Sequence, residues 1–514
     1  MAQIRANNVT FSYEGSPDPV FCDLSFHLDS SWKTGLIGRN GRGKTTLLRL
    51  LMGGLSHEGS IVADTAFDYF PYALTDADLA SPAEELAAAW KPGIQSWEIL
   101  TEMNQMGMDA LCLYRPFGEL SHGERTRLML CVLFAREGEF LLIDEPTNHL
   151  DGAARESVKT YLAAKKGFLL VSHDRDLIDA VVDHVLVLNR ETVEVQAGNF
   201  SSWWENKERS DACAVSENEK HLREIRKLRA AADRSRRWAD NNEGTKIGFD
   251  PVKEHERNIS TRAYIGAKTK KMQARVKSYE NRMAREIAEK EGLLRDIERP
   301  VDLKLFPLAF HKEVLIRADH LSLRYGEGKP LFEDISFELK RGDRLVLTGG
   351  NGCGKSSIIR AVLAQAGVAE GMAAPALPHT QGMLETASGL IISYVSQDTS
   401  HLRGGLRDFC RVRSLSESLF LAILRQLDLG RGQFTKPMED FSEGQKKKVL
   451  LAASLLTPAH LYIWDEPFNY IDVFSRAQIE KLILTYTPTM LLVEHDVRFR
   501  ETAATKEVRV GPKT

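Results

Sequence analysis

The sequence predicts two tandem α/β domains, each with a largely parallel sheet, joined by a long antiparallel α-helical hairpin. Three observations predict this. A set of motifs recurs in the same order at nearly one offset. Each copy carries a strand, a glycine-rich loop and a helix in succession. Between the copies lies a stretch rich in Lys, Arg, Glu and Ala with helical periodicity.

The repeat fixes the domain plan. Gly38-Arg39-Asn40-Gly41-Arg42-Gly43-Lys44-Thr45 returns as Gly349-Gly350-Asn351-Gly352-Cys353-Gly354-Lys355-Ser356. Leu141–Pro146 returns as Leu461–Pro467, and Ser172-His173-Asp174 returns as Glu494-His495-Asp496. The lysines lie 311 residues apart, the glutamates 321 and the histidines 322. The change of offset falls at Ala364–Gly389, whose Gly, Ala and Pro content predicts a surface loop. Alternating apolar residues predict strands over Ile4–Phe11 and Val314–Leu323. Buried strands are expected at Thr34–Ile37 and Leu345–Leu347, with helices following at Thr45–Leu51 and Ser356–Leu363. The expected divisions are domain 1 at 1–204, a linker at 205–299 with its tip near 241–260, and domain 2 at 300–514.

In the linker, Leu222, Ile225, Leu228 and Ala232 sit at helical spacing. So do Met272, Val276, Tyr279, Met283, Ile287, Leu294 and Ile297. Asp240–Ser260 breaks the pattern with Asn241-Asn242, Gly244, Gly248 and Pro251. Two antiparallel helices joined by an irregular tip are expected. The first, of about 24 residues, would span roughly 36 Å.

Composition bounds the function. The chain has 514 residues, a net charge of −3, 43% hydrophobic and 27% charged residues. Fibrous and wholly disordered classes are excluded. No apolar run approaches the ~18–20 residues of a membrane helix, and Met1–Phe11 is too polar for a secretory leader. Six scattered cysteines without a C-x-x-C pair favour reduced thiols in a cytoplasm.

The glycine loops match G-x-x-x-x-G-K-[ST], in which backbone N–H groups curl around phosphate oxygens. Gly38, Asn40, Gly41 and Gly43, with Gly349, Asn351, Gly352 and Gly354, would cradle phosphates. Lys44 and Lys355 would reach the β- and γ-phosphates, flanked by Thr46 and Ser357. Thr45 and Ser356 would ligate Mg²⁺ through their hydroxyls. Asp144 and Asp465 end hydrophobic strands, where a carboxylate can help hold Mg²⁺. Glu145 and Glu466 follow directly, placed to orient or deprotonate a water. His173 and His495 are candidates to face the γ-phosphate.

Leu120-Ser121-His122-Gly123-Glu124 and Phe441-Ser442-Glu443-Gly444-Gln445 resemble the signature of the ABC ATPases. The resemblance implies two ABC-type P-loop ATPase domains binding ATP and Mg²⁺. It implies that the signature loop of each domain closes on the phosphate loop of the other. Ser442, Gly444 and Gln445 would then face Gly38–Thr45, and Ser121, Gly123 and Glu124 would face Gly349–Ser356. Tyr13 and Tyr325 fall where the family stacks adenine. Asp151 and Asp472 match its D-loops, and Gln397 matches a metal-binding Q-loop glutamine. The sequence departs from the pattern at Tyr72, where a Q-loop glutamine is usual, and at His122 and Glu443, where glycine is usual. Phe468-Asn469-Tyr470-Ile471 also differs from Thr147-Asn148-His149-Leu150. Two inequivalent but hydrolytic sites are expected.

Two such domains, a helical linker and no membrane span resemble the ABC-F family. Gly198-Asn199-Phe200-Ser201 and Arg262–Lys268 carry this likeness over essentially the whole chain. Trp32–Lys44, Arg115-Pro116-Phe117 and Tyr462–Pro467 look most like the Lsa/Vga-type antibiotic-resistance branch. That resemblance implies a cytoplasmic protein, monomeric off the ribosome and without membrane subunits. It would bind the bacterial 70S ribosome, with 23S rRNA and tRNA, at the E site. The linker would reach toward the peptidyl-transferase centre and displace lincosamides, pleuromutilins and streptogramin A. A housekeeping translation factor on stalled ribosomes and a DNA-maintenance ATPase are the alternatives.

The near-neutral total conceals an uneven distribution. Residues 220–285 hold 19 Lys and Arg against 8 Asp and Glu, a balance of +11 that leaves −14 for the rest. Such a basic prong suits nucleic-acid phosphates. Arg234, Arg236, Arg237 and Trp238 set cations beside a ring able to stack on a base. Lys246, Lys253, Arg257, Arg262, Lys268, Lys270 and Lys271 extend the basic run. Ile247 and Phe249 at the tip read either as inserting groups or as local packing between helix ends.

Overall fold

The computed structural model describes residues 2–14, 19–136, 138–148, 150–189, 192–244, 277–279, 281–283, 285, 304–326, 329–368 and 379–511. The chain divides into two compact units, Met1–Trp203 with Pro300–Thr514, and Trp204–Arg299.

The larger unit holds both copies of the repeat. Each copy has two sheets. The first copy's antiparallel sheet has the order Phe21–Asp29, Gln3–Phe11, Glu58–Ala63. Its main sheet has the order Ala66–Phe70, Glu139–Asp144, Phe168–Val171, Lys33–Gly38, His184–Leu188, Val193–Ala197. All neighbours there are parallel except the last pair. The second copy repeats the plan. Its antiparallel order is Phe332–Lys340, Val314–Arg324, His379–Thr386, and its parallel order is Ile392–Val395, Leu461–Asp465, Met490–Val493, Arg344–Thr348, Lys506–Arg509.

The residue patterns explain the division. Phe21–Asp29 alternates buried and exposed residues, as a one-sided antiparallel strand should. Phe168–Val171 and Leu461–Asp465 are buried throughout, as parallel strands covered on both faces must be. Parallel strands also share one direction, so Gly38, Asp144 and Val171 end at the same sheet edge. That edge collects the glycine loop, the Asp-Glu pair and the histidine of each copy, the usual place for a ligand in such sheets.

The Gly/Ala/Pro-rich stretch is not all loop. His379–Thr386 is a strand pairing antiparallel with Val314–Arg324. Its edge is filled by backbone pairing, which composition alone does not report. Residues 369–378 lie outside the described ones.

The smaller unit corrects the linker reading. A single helix runs from Phe200 to Gly244, 45 residues rather than about 24. It therefore continues through Asp240, Asn241 and Asn242, which the sequence reading assigned to the break. Its early turns lack a strong apolar stripe but carry helix-spaced polar pairs. Arg209 lies 3.3 Å from Glu205, Arg223 lies 3.3 Å from Glu219, and the Trp204 indole donates to Glu208 at 2.9 Å. Ala214 and Ile225 are buried, while Leu222 and Leu228 are half-buried. In the second helical stretch Met283 is buried, but Tyr279 is exposed and does not join a core. Met272, Val276, Ile287, Leu294 and Ile297 lie outside the described residues.

No helix among the described residues is long and apolar enough to cross a membrane. All six cysteines are free.

Candidate functional site: two cavities between the repeated domains

The glycine loops are built alike. Gly43 and Gly354 have φ of 86° and 102°, a region L-residues rarely adopt. A Cβ on Gly43 would meet Phe21 Cζ at 2.7 Å, and one on Gly354 would meet Phe332 Cδ1 at 2.9 Å. Each loop thus packs on the equivalent phenylalanine of its own copy. Lys44 Nζ donates to the Gly38 carbonyl at 2.8 Å, and Lys355 Nζ donates to the Gly349 and Gly350 carbonyls at 2.8 Å each. Both ammonium groups lie folded into the loops whose N–H groups would cradle phosphate. Burial pushes Lys44 below its ordinary range, and Glu145 and Asp472 oppose the shift. Tyr13 pairs with Thr46 at 2.9 Å, and Tyr325 with Ser357 at 3.1 Å.

The acidic pairs sit beside these loops. Thr45 donates to Asp144 Oδ2 at 2.9 Å, and Ser356 makes the same bond to Asp465. Hydroxyl and carboxylate thus lie within reach of one cation in both copies. Asp465 Oδ1 is buried with no hydrogen-bond partner among the described residues, an acceptor that suits Mg²⁺. Burial pushes the Asp465 carboxyl up to about 6 and raises that of Asp144.

Glu145 and Glu466 have φ of 53° and 47°. A non-glycine residue held in this region is uncommon and marks functional sites. His173 Nε2 lies 3.3 Å from Glu145 Oε1, and His495 Nε2 lies 3.7 Å from Glu466 Oε1. Burial holds the His173 imidazole well below its ordinary range. Burial also pushes the Glu145 carboxyl above its ordinary range, with the Asp144 carboxylate adding to the effect. Glu466 moves the opposite way. Burial raises it, but the facing His495 and the Lys447 ammonium outweigh that and leave it lowered. Glu466 also accepts hydrogen bonds from Gln397 at 2.9 Å and Asn469 at 2.7 Å.

Two cavities open between the copies. The first, of ≈ 760 Å³, joins Asn40, Gly41, Arg42, Glu145, Asn148 and His173 to Ser442, Glu443, Gly444, Gln445, Lys448 and Tyr470 of the other copy. Asp428, Gly430 and Gln433 complete it. Asn40 reaches across and donates to the Tyr470 carbonyl at 2.7 Å. The second, of ≈ 420 Å³, is lined by Tyr325, Asn351, Gly352, Gly354, Lys355, Ser356, Ser357, Gln397, Glu466 and His495, with Leu331, Arg360 and Asn469. Among the described residues, the first copy contributes only Leu150 and Arg155 to it. The expected pairing of Ser121, Gly123 and Glu124 with this loop is not present in its lining. Their serine and glutamate instead form a capping box on the helix His122–Phe134. Ser442 and Gln445 form the same box on Glu443–Leu456, yet still line the first cavity.

One contributor to the site stands outside the motifs. Tyr69 donates to Asp144 Oδ2 at 3.3 Å. The repeat offers its signal, because Tyr69 and Tyr394 stand three residues before Tyr72 and Gln397. Tyr72 itself donates to Asp68 at 2.8 Å and stacks on Trp90, with centroids 4.7 Å apart. It is therefore engaged inside its own domain rather than on the acidic pair. Of the linker residues, Arg234 and Arg237 are exposed. Arg236 and Trp238 lie on the same helix. Lys246, Ile247, Phe249, Lys253, Arg257, Arg262, Lys268, Lys270 and Lys271 lie outside the described residues, as does His149.

A family profile described as "ABC transporter" matches residues 21–148 and 332–469, both halves of this site. The chain belongs to the ABC-F family of ABC ATPases. As a member, it binds and hydrolyses ATP. It is 25% identical over 511 residues to "Ribosome protection protein VmlR" of Bacillus subtilis, covering 95% of this chain and 84% of that one. It is 27% identical over 426 residues to "Energy-dependent translational throttle protein EttA" of Mycobacterium tuberculosis, covering 80% and 67%. In fold it is similar to the archaeal ribosome recycling factor aABCE1, solved with the archaeal ribosomal stalk protein aP1. The TM-score there is 0.60 at 19% identity, covering 98% of this chain and 89% of that one.

Proposed function

We propose that this ABC-F ATPase binds the bacterial 70S ribosome and protects it from antibiotics acting at the large-subunit peptidyl-transferase centre. The observation that carries the reading is the first cavity. A phosphate loop of one copy and a signature loop of the other line one space, so nucleotide bound there would draw the copies together.

In this reading Lys44 and Lys355 bind phosphate oxygens, and Tyr13 and Tyr325 flank the base. Thr45 with Asp144, and Ser356 with Asp465 and Gln397, would hold Mg²⁺, which neutralises phosphate charge when bound. Glu145 and Glu466 orient the attacking water and accept its proton at their carboxylate oxygens. His173 and His495 face the γ-phosphate. The closed protein binds the E site, and hydrolysis releases it. The linker, through Arg234, Arg237 and the basic run beyond them, contacts 23S rRNA and tRNA and displaces lincosamides, pleuromutilins or streptogramin A.

The B. subtilis protection protein and the basic balance of residues 220–285 support this. The protein would be cytoplasmic, ribosome-associated and monomeric off the ribosome. The resemblance to the translational throttle favours a second reading, a factor that acts on ribosomes without drug.

Expression in a susceptible host should raise tolerance to at least one of the three drug classes. Unchanged tolerance to all three, with a growth defect on deletion, would favour the second reading. Glu145→Gln combined with Glu466→Gln should co-sediment with 70S ribosomes in ATP. Absence from the ribosomal pellet would sink both.

A further inference from the structure

The two copies differ beneath their acidic pairs. In the first copy Thr126, on the helix His122–Phe134, donates to the His122 carbonyl of its own helix at 3.0 Å. Ser172 accepts from the Asp174 backbone N–H at 3.1 Å. Both side chains are neutral. In the second copy the equivalent positions, by offsets of 321 and 322, hold Lys447 and Glu494. Two neutral residues have become two opposite charges, and both are buried, at 3% and 4% exposure.

Buried charges are costly unless each serves or balances something. Lys447 Nζ donates to the Ser396 carbonyl at 2.7 Å and to the Asp465 carbonyl at 3.1 Å. These carbonyls precede Gln397 and Glu466 directly. They end the adjacent parallel strands Ile392–Val395 and Leu461–Asp465, whose pairing stops at Val395 opposite Trp464. Past that point the described strand pairing no longer joins the two segments, and the ammonium bridges them. Gln397 in turn donates to Glu466. Glu494 Oε1 accepts the backbone N–H groups of His495 at 2.7 Å and Asp496 at 3.2 Å. Its Oε2 is buried without a hydrogen-bond partner among the described residues. Glu494 is close enough to act electrostatically on Lys447, in the same sense as Asp465 and Glu466.

We propose that Lys447 is a positioning residue of the second nucleotide site. Its ammonium braces the strand ends that present Gln397 and Glu466, and Glu494 is one of the acids, after Asp465 and Glu466, that balance its charge. This rests on the reading of the second site as hydrolytic. Hydrogen bonds from an ionised donor are shorter and about twice as strong as neutral ones, so the second copy gains a stronger support than the first copy's neutral pair supplies.

The test uses the full-length protein in steady-state ATP hydrolysis, with Glu466→Gln as the reference for a disabled second site. Lys447→Thr with Glu494→Ser installs the first copy's neutral pair and leaves no unbalanced buried charge. The melting temperature should stay within about 1 °C of the parent, small against the shifts that a lost fold element produces in domains of this size. The kcat should fall to within about twofold of Glu466→Gln, with KM for ATP within about twofold of the parent. A parent-like kcat in the folded double variant would overturn the proposal, as would a raised KM with kcat unchanged. Lys447→Met with Glu494→Leu, closer in volume, gives a second version. If both versions lose the fold, the pair serves stability alone and the proposal fails. A parent-like kcat in Glu466→Gln itself would remove the hydrolytic second site instead.

Discussion

The two nucleotide sites share their reacting groups and differ in what holds them. Glu145 is flanked by His173 and buried, which raises its carboxyl above the ordinary range. Glu466 is gripped by Gln397 and Asn469 and kept low by its surroundings. The cavities are unequal too. The first receives a full signature loop from the opposite copy, and the second receives, among the described residues, only Leu150 and Arg155. Duplication has kept the Lys, Asp, Glu and His of each site while the supports diverged. The groups that react are constrained by chemistry, and the groups that hold them only by geometry.

The largest effect should come from removing both carboxylates. Glu145→Gln with Glu466→Gln should cut kcat by about 10²–10⁴, the range for a lost general base. Residual turnover above a tenth of the parent in an ATPase assay would show that neither carboxylate matters. Next come the lysines. Lys44→Ala and Lys355→Ala should each weaken ATP binding about tenfold or more, since each loses a charged hydrogen bond. Nucleotide titration checks this, and an effect confined to one lysine would reduce the molecule to one working site.

Smaller effects separate the signature glycines. A Cβ at Gly444 would meet Tyr470 O at 3.0 Å, while one at Gly123 meets nothing nearer than 3.7 Å. Gly444→Ala should therefore lower kcat/KM severalfold, about 1 kcal/mol, and Gly123→Ala should leave it unchanged. Equal losses would contradict the asymmetric cavities. The smallest effect belongs to Asn40→Ala. It removes one hydrogen bond across the copies, about 1 kcal/mol and so about fivefold in ATP-dependent closure. Fluorescence between probes on the two copies would measure it.

Much of this was legible in the sequence because the motifs are local. A strand, a glycine turn and a helix start occupy consecutive residues, so Gly38–Thr45 and Gly349–Ser356 declare their geometry. The Asp-Glu pairs declare theirs by ending apolar runs. The supports were not legible, because they arrive from distant elements. Tyr69 reaches Asp144 across 75 residues, and Lys447 reaches Ser396 across 51. Nor does the pattern distinguish a signature loop that lines a cavity from one that does not, since Ser121 and Ser442 both cap their own helices with the same local bonds. The linker helix was underestimated because its first turns are held by polar pairs rather than by an apolar stripe.

The inequivalence of the sites is tested most directly by comparing Glu145→Gln and Glu466→Gln singly, by steady-state ATP hydrolysis under one set of conditions. The better-held Glu466 should be the costlier loss, with kcat at least about threefold below that of Glu145→Gln. Equal rates in the two variants would contradict the account.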